Sequence, residues 1–163
     1  MAYVCVGVPW LPEFSYSFRG YDPVIHVRAS RREVAVSPKA AREICTAIRG
    51  KRLSQAKSFL EAVIEKKQAV PYRRYKNEVG HKSTISGFFA GRYPVKAARE
   101  VLVTLENLES NSDFKGLNTD RLIIVHATAL RGRKIIGSTP RAMGRSSPSN
   151  NTLVHIELVG KEA

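Results

Sequence analysis

The 163-residue sequence is poor in the residues that build metal centres and disulfide frameworks. It has two cysteines, Cys5 and Cys45, and neither lies near a histidine or another cysteine at the spacing of a zinc ligand pair. We therefore expect no metal and no other cofactor. Both cysteines are interpreted as small apolar residues of a buried core in a reducing compartment.

Signatures of catalysis are missing as well. The sequence has neither GxxxxGK[ST] nor GxGxxG, the glycine-rich motifs that hold phosphates. Its four histidines are scattered, and we expect His126 and His155 to face each other across paired strands as a structural pair. The sequence predicts neither an enzyme nor a small-molecule substrate.

Long apolar runs are also absent. No stretch approaches the eighteen apolar residues of a membrane-spanning helix. The apolar start, residues 1–14, is interrupted by Pro9 and Pro12 and has no basic residue, so we expect no signal peptide. Neither basic stretch described below has a strong apolar helical face, which argues against a membrane surface. We expect a cytoplasmic protein.

Acidic residues are few, and this deficit is the most informative feature of the composition. Lys and Arg number 27 against 14 Asp and Glu, which leaves a net charge of +13. Such an excess indicates a polyanionic partner, and nucleic acid is the first candidate. A hydrophobic content of 43% is enough for a folded core, and the length fits one domain spanning residues 1–163.

The charge is unevenly distributed along the chain. Residues 66–99 contain nine basic residues against Glu78, and residues 121–156 contain six basic residues and no acid. Between them, residues 100–120 carry Lys115 against five acids. A solvated surface would mix the two signs, so the two basic stretches are predicted binding surfaces.

Three amphipathic helices are predicted from the apolar spacing. The first begins at Ser37-Pro38, with the Ser37 side chain as a cap, and stops at Gly50. The second begins at Ser54 and the third at Pro94, with Gly116 just beyond its end. Their inner faces contain Ala41, Ile44, Cys45 and Ile48, then Ala56, Phe59, Leu60, Val63 and Ile64, then Ala98, Val101, Leu102, Leu105 and Leu108.

Three β-rich runs complete the predicted fold: residues 24–36, 122–128 and 153–159. If the last two pair, their turn lies near Pro140 and an arm of about 46 Å protrudes from the body, at about 3.3 Å per residue. We predict an α+β fold of three helices on a small three-stranded antiparallel sheet, with a long protruding β-hairpin over residues 121–159.

Two basic segments are the candidate binding sites: the basic insertion (residues 66–93) and the arm (residues 130–151). In the insertion, aromatic residues alternate with basic ones, a combination that stacks on unpaired bases and neutralises phosphates. We expect Phe88 and Phe89 to join the core. The predicted RNA-binding residues are Arg31, Arg32, Lys66, Lys67, Arg73, Arg74, Lys76, Lys82, Arg92, Arg131, Arg133, Lys134, Arg141 and Arg145.

Several motifs in the same order resemble the L twenty-two family of large-subunit ribosomal proteins. SPKAAREICTAIRGKRLSQAKSFLE resembles its opening helices, and GRYPVKAAREVLVTLENLESNSDFKGLNTDRL resembles its long third helix. TPRAMGRSSP resembles its hairpin tip, and VHIELV resembles its closing strand. QAVPYRRYKNEVGH is similar to an insertion of archaeal and eukaryotic members, and the chain ends without a long basic tail, which favours the archaeal type.

The resemblance implies a structural protein of the large ribosomal subunit in the cytoplasm. Such a protein would contact several domains of large-subunit ribosomal RNA and neighbouring ribosomal proteins, and its hairpin would line the nascent-peptide exit tunnel. The tip nearest the tunnel would be Arg141, Ala142, Met143, Gly144 and Arg145. The alternative is a free-standing basic nucleic-acid-binding protein, such as an RNA chaperone or a nucleoid protein. Residues 1–22 would be an N-terminal extension.

Overall fold

The computed structural model describes residues 15–162, so Cys5 and most of the predicted N-terminal extension lie outside the described residues. The described part contains three helices and seven strands. In chain order they are β1 (His26–Val34), α1 (Pro38–Ile48), α2 (Leu53–Ile64), β2 (Val70–Pro71), β3 (Gly91–Arg92), α3 (Val95–Phe114), β4 (Leu122–Ile135), β5 (Ser138–Pro140), β6 (Ser146–Pro148) and β7 (Asn151–Glu162).

Helix α1 starts and ends close to the predicted residues. Ser37 precedes it with an extended backbone, but its side chain makes no capping hydrogen bond, so that part of the prediction is wrong. The fixed φ of Pro38 suits the first turn without such a bond. At the other end Gly50 adopts φ +80°, and its amide donates to the carbonyl of Ile124 at 2.8 Å. The glycine therefore ends the helix and connects it to β4.

The other two helices follow their apolar stripes. Helix α2 begins at Leu53, one residue before the predicted Ser54, because Leu53 itself is buried. Ile64 and Leu102 lie at the margin of their stripes and are half-buried. Just past the end of α3, Gly116 adopts φ +72°. The helices bury their apolar residues in one continuous core with the sheet.

The sheet is antiparallel, and its strand order is β1-β7-β4. Val27 pairs with Gly160, and Ala127 pairs with Leu158. Helix α1 packs on β4 and α3 packs on β1, while α2 packs on α3. The predicted fold class, α+β with three helices against a small three-stranded antiparallel sheet, is confirmed.

The sheet face that carries Glu157 and Val159 contacts the segment that precedes β1. Ser17 donates to the Glu157 carboxylate through both its amide, at 2.9 Å, and its hydroxyl, at 2.7 Å. Phe18 packs against His126 with ring centroids 5.5 Å apart. Residues 15–22 thus contribute a second layer around a carboxylate that is 0% exposed.

His126 and His155 do not face each other, so their predicted pairing is wrong. His126 pairs with Val159, and His155 pairs with Leu130, so each lies opposite a residue four positions from the expected partner. His155 instead accepts a hydrogen bond on Nδ1 from the amide of Glu33, at 3.1 Å.

Strands β4 and β7 continue past the end of β1 as a two-stranded ribbon. Beyond Ile135 and Asn151 the ribbon is extended by β5 and β6, which pair Pro140 with Ser146. The turn therefore lies at Ala142–Gly144, a few residues past the predicted position near Pro140. Proline is tolerated in a strand without a further neighbour, so Pro140 and Pro148 lie within the ribbon.

Candidate nucleic-acid interface

Most of the predicted RNA-binding side chains are exposed on the two basic segments. The twelve that point into solvent are Lys66, Lys67, Arg73, Arg74, Lys76, Lys82, Arg92, Arg131, Arg133, Lys134, Arg141 and Arg145. The structure thus leaves these cations accessible on the insertion and along the arm.

Two further predicted residues, Arg31 and Arg32, are half-buried and form ion pairs. Arg31 lies 3.0 Å from the Glu100 carboxylate on α3, and Arg32 lies 3.7 Å from the Glu157 carboxylate. Burial lowers the pKa of Arg32, and the attraction of Glu157 raises it in part. These two arginines therefore hold β1 against its neighbours, in addition to any contact with RNA.

A single buried carboxylate holds the insertion in place. Glu43 on α1 is 3% exposed. Its oxygens accept hydrogen bonds from the backbone amides of Arg73, Arg74 and Tyr75, at 3.1, 3.1 and 3.2 Å. Because the amides are used inward, the side chains of Arg73 and Arg74 are presented outward.

Aromatic rings of the insertion lie under its cations. The guanidinium of Arg73 lies 5.5 Å from the ring centre of Phe88, and Lys82 lies 5.4 Å from that of Tyr93. Phe88 packs at the edge of the core, as expected, but Phe89 is 50% exposed, so its predicted burial is wrong. Phe89 stacks on the outer side of Phe88, with centroids 4.9 Å apart, and is left in solvent.

Tyr72 is the buried aromatic residue of the insertion. It is 6% exposed, and the guanidinium of Arg92 lies 5.9 Å from its ring centre. Burial raises the pKa of the Tyr72 hydroxyl, an effect that the charge of Arg92 opposes. The hydroxyl is therefore a neutral hydrogen-bond donor at physiological pH.

The arm exposes side chains on both faces of its ribbon. Ile136 is 81% exposed and Met143 is 93% exposed, although both are apolar. Met143 adopts φ +58°, a left-handed backbone conformation that is uncommon for residues other than glycine. Met143 forms the apex of the turn. Beside it the Arg141 side chain donates to the Ser147 hydroxyl at 3.2 Å, which directs this arginine along the ribbon.

Two structurally decisive residues, Glu43 and Glu157, were missed in the sequence, although a signal was present for each. Glu43 lies on the same face of α1 as Ala40 and Ala47, which is the apolar side of the helix. Glu157 shares one face of β7 with His155 and with the buried apolar residues Leu153 and Val159. A lone acid on an apolar stripe predicts a buried carboxylate that receives hydrogen bonds.

The described residues contain no metal-binding cluster. Within residues 15–162, no three His, Cys, Asp or Glu side chains are grouped so that they could hold a metal ion. Cys45 is buried, as expected, and burial raises the pKa of its thiol to about 12. In the same part of the chain, no helix has the length and apolar character needed to cross a membrane.

Comparison with known proteins identifies the family. The profile of the family described as ribosomal protein L22p/L17e matches residues 29–161, which include every predicted RNA-binding residue. The chain belongs to this family of ribosomal proteins. The predicted resemblance is confirmed, and so is the expectation that the chain is not an enzyme, since the L22p/L17e proteins are structural proteins of the ribosome.

Archaeal members of the L22p/L17e family are similar along nearly their whole length. The large ribosomal subunit protein uL22 of Cenarchaeum symbiosum is 57% identical over 151 residues, which cover 93% of this chain and 99% of the relative. The protein of the same name from Nitrosopumilus maritimus is 50% identical over 149 residues, or 91% of this chain and 97% of the relative. That of Methanopyrus kandleri is 52% identical over 136 residues, or 83% and 86%.

Proposed function

We propose that this L22p/L17e protein is a structural constituent of the large ribosomal subunit in the cytoplasm, where its single domain binds large-subunit ribosomal RNA. Its arm lines the nascent-peptide exit tunnel, with Arg141, Ala142, Met143, Gly144 and Arg145 at the tip. The partners are several domains of that RNA and neighbouring large-subunit proteins. The relatives named large ribosomal subunit protein uL22 support the assignment to the subunit.

The observation that carries the proposal is the arm itself. Its ribbon has exposed side chains on both faces and lies within a stretch of six basic residues and no acid. An isolated two-stranded ribbon is marginal in water, so a surrounding surface would be needed to hold it. Lys and Arg neutralise phosphates, and RNA is therefore the surface that this ribbon fits.

The distribution of acids agrees with this orientation. Glu106, Asp113 and Asp120 lie on α3 and just beyond it, and their side chains are exposed. These carboxylates would repel RNA. The acidic end of α3 therefore faces solvent or neighbouring proteins. The basic insertion and the arm then face RNA.

Sedimentation separates this proposal from a free-standing nucleic-acid binder. The tagged protein is expressed in an archaeal cell, and the large subunits are purified through a salt wash that strips loosely bound proteins. We expect the protein to remain in stoichiometric amount. Its loss into the free pool would overturn the assignment to the subunit and favour the alternative of an RNA chaperone or a nucleoid protein.

Site-specific crosslinking tests the tunnel separately. A photoreactive amino acid replaces Met143 at the tip or, as the matched control, the exposed Glu106 of α3. In subunits that carry a stalled nascent chain, we expect an adduct with the nascent peptide from position 143 and none from position 106. If position 143 forms adducts with RNA alone, the protein is still a component of the subunit, but its arm does not line the tunnel.

A further inference from the structure

A cavity of about 470 Å³ lies between the start of α1 and the basic insertion. It is lined on one side by Ser37, Lys39 and Ala40, and on the other by Tyr72, Arg74 and Arg92. Of these residues, the sequence pointed to Arg74 and Arg92 alone as RNA-binding. The volume is in the range of sites that hold a small ligand or one group of a larger one.

The charges around this cavity favour an anion. Lys39, Arg74 and Arg92 are exposed cations on its wall, and Glu78 is the one acid among the lining residues. Lys39 and Arg92 are held by aromatic rings, since Lys39 lies 5.6 Å from the ring centre of Tyr75 and Arg92 lies over Tyr72. The cavity therefore has a net charge of +2, on side chains that are partly positioned.

The N-terminal end of α1 at the cavity has backbone amides that lack hydrogen-bond acceptors within the helix. The amides of Lys39 and Ala40 lie in the first turn of α1, where a helix provides no acceptor for them. No acidic residue lies in that turn, and the Ser37 hydroxyl does not cap the helix although Ser37 lines the cavity. These amides and the partial positive charge of the helix end attract an anion.

Tyr72 supplies the independent observation. Its side chain is more than nine-tenths buried and lines the cavity, and its hydroxyl makes no side-chain or backbone hydrogen bond within residues 15–162 while remaining accessible. The hydroxyl is the accessible end of this buried side chain, so it is free to donate to whatever occupies the cavity. A donor held in this way indicates an acceptor that occupies the cavity when the protein is bound to its ligand.

We propose that this cavity binds one phosphate group of an RNA strand. Lys39, Arg74 and Arg92 provide the counter-charge, and the Tyr72 hydroxyl and the first-turn amides of α1 donate to the phosphate oxygens. The site rests on the proposed function, since it adds a specific phosphate position to the binding of ribosomal RNA. Glu43 positions the site from behind, because it fixes the backbone of Arg74 and Tyr75.

The test uses the full chain and two variants with matched controls. Tyr72→Phe removes the hydroxyl and is compared with Tyr21→Phe, and Lys39→Gln removes one charge and is compared with Lys161→Gln near the end of β7, since neither control lies in a basic stretch. Thermal unfolding confirms that all four fold. Affinity for isolated large-subunit ribosomal RNA is then measured over a range of salt, and the amide spectrum is followed during titration with inorganic phosphate, with chloride at equal ionic strength as the control.

We expect Tyr72→Phe to weaken RNA binding about tenfold, the effect of one hydrogen bond to a charged group. Lys39→Gln lowers the slope of log affinity against log salt by about 1, and the two controls change neither quantity. Inorganic phosphate shifts the amides of Lys39 and Ala40 in the wild-type protein, and Tyr72→Phe weakens that effect.

Three results would overturn the proposal, and each has a distinct meaning. If the wild-type protein binds RNA and both cavity variants match their controls, the cavity is not a phosphate site although RNA binding stands. If phosphate shifts the two amides while the variants leave RNA binding unchanged, the site takes a free anion and not an RNA phosphate. If the wild-type protein does not bind RNA at all, the proposed function fails together with the site.

Discussion

The basic insertion and the arm carry similar side chains, but the body of the protein holds them differently. The insertion is bonded to Glu43 through three backbone amides and buries Tyr72, Val79 and Ala90 in or beside the core. The arm is a ribbon of two strands whose side chains are exposed on both faces. The insertion therefore arrives at its partner with its shape already set, whereas the arm depends on its surroundings.

The largest effect is expected from removing the carboxylate that holds the insertion. Glu43→Ala leaves three amides without their acceptor, and because hydrogen bonds to a charged group contribute about 1.5–3 kcal/mol each and water replaces some of them, the free energy of unfolding should fall by about 3 kcal/mol. Chemical denaturation measures it. The control is Glu61→Ala, an exposed acid of α2, which should change stability by no more than about 0.5 kcal/mol. Equal stabilities would mean that the insertion does not depend on Glu43.

Hydrogen exchange compares the two segments directly in the free protein. The amides of Arg74 and Tyr75 donate to a buried carboxylate and should exchange at least about 100-fold more slowly than in an unfolded chain. The amides of residues 133–149 should exchange within seconds, because a two-stranded ribbon opens easily. In purified large subunits the arm should become protected as well. Slow exchange of the arm in the free monomer would mean that it packs on its own body.

Matched pairs of arginines test what this difference means for binding. Arg73→Ala with Arg74→Ala and Arg131→Ala with Arg133→Ala each remove two exposed cations, so each pair should lower the salt slope of RNA affinity by about 2. The insertion pair should cost more affinity, because its backbone is already ordered and loses less entropy on binding. Neither pair should change the melting temperature. Unfolding of the insertion pair would show that its side chains stabilise the body.

Much of the body was predictable because its features are local. Apolar residues at helical spacing and the glycines at positions 50 and 116 predict the three helices to within about one residue. The contacts that hold the insertion could not be found in this way, since Glu43 precedes its partners by about thirty residues. No periodicity connects an acid on a helix to amides in a distant loop.

The wrong predictions have the same cause. Pairing residues 122–128 with residues 153–159 places the turn near Pro140, but the strands pair in another register, and Met143 lies at the apex. Phe89 was expected in the core together with Phe88, yet one ring occupies the available space and the other stacks outside it. Register and competition for space are properties of the assembled fold.

The smallest effect on stability is expected from removing the arm. In the deletion variant, residues 131–149 are absent and Leu130 is joined to Asn150 by a short turn that contains glycine. The removed side chains are exposed or half-exposed, so the free energy of unfolding should stay within about 0.5 kcal/mol of the wild-type value. A deletion of residues 73–79 is the contrasting variant, because it removes the buried Val79 and the partners of Glu43 and should destabilise the protein by several kcal/mol.

The arm deletion also separates entry into the subunit from action within it. The insertion and the neighbouring helices keep their cations, so the shortened protein should still bind ribosomal RNA and enter large subunits, as measured by sedimentation. Its defect should lie in subunit maturation or in the passage of nascent chains, because the exposed tip around Met143 is lost. If the shortened protein fails to enter subunits although it folds, the arm contributes to docking itself. Its dependence on its surroundings would then be mutual, with RNA ordering the arm and the arm holding the protein on the RNA.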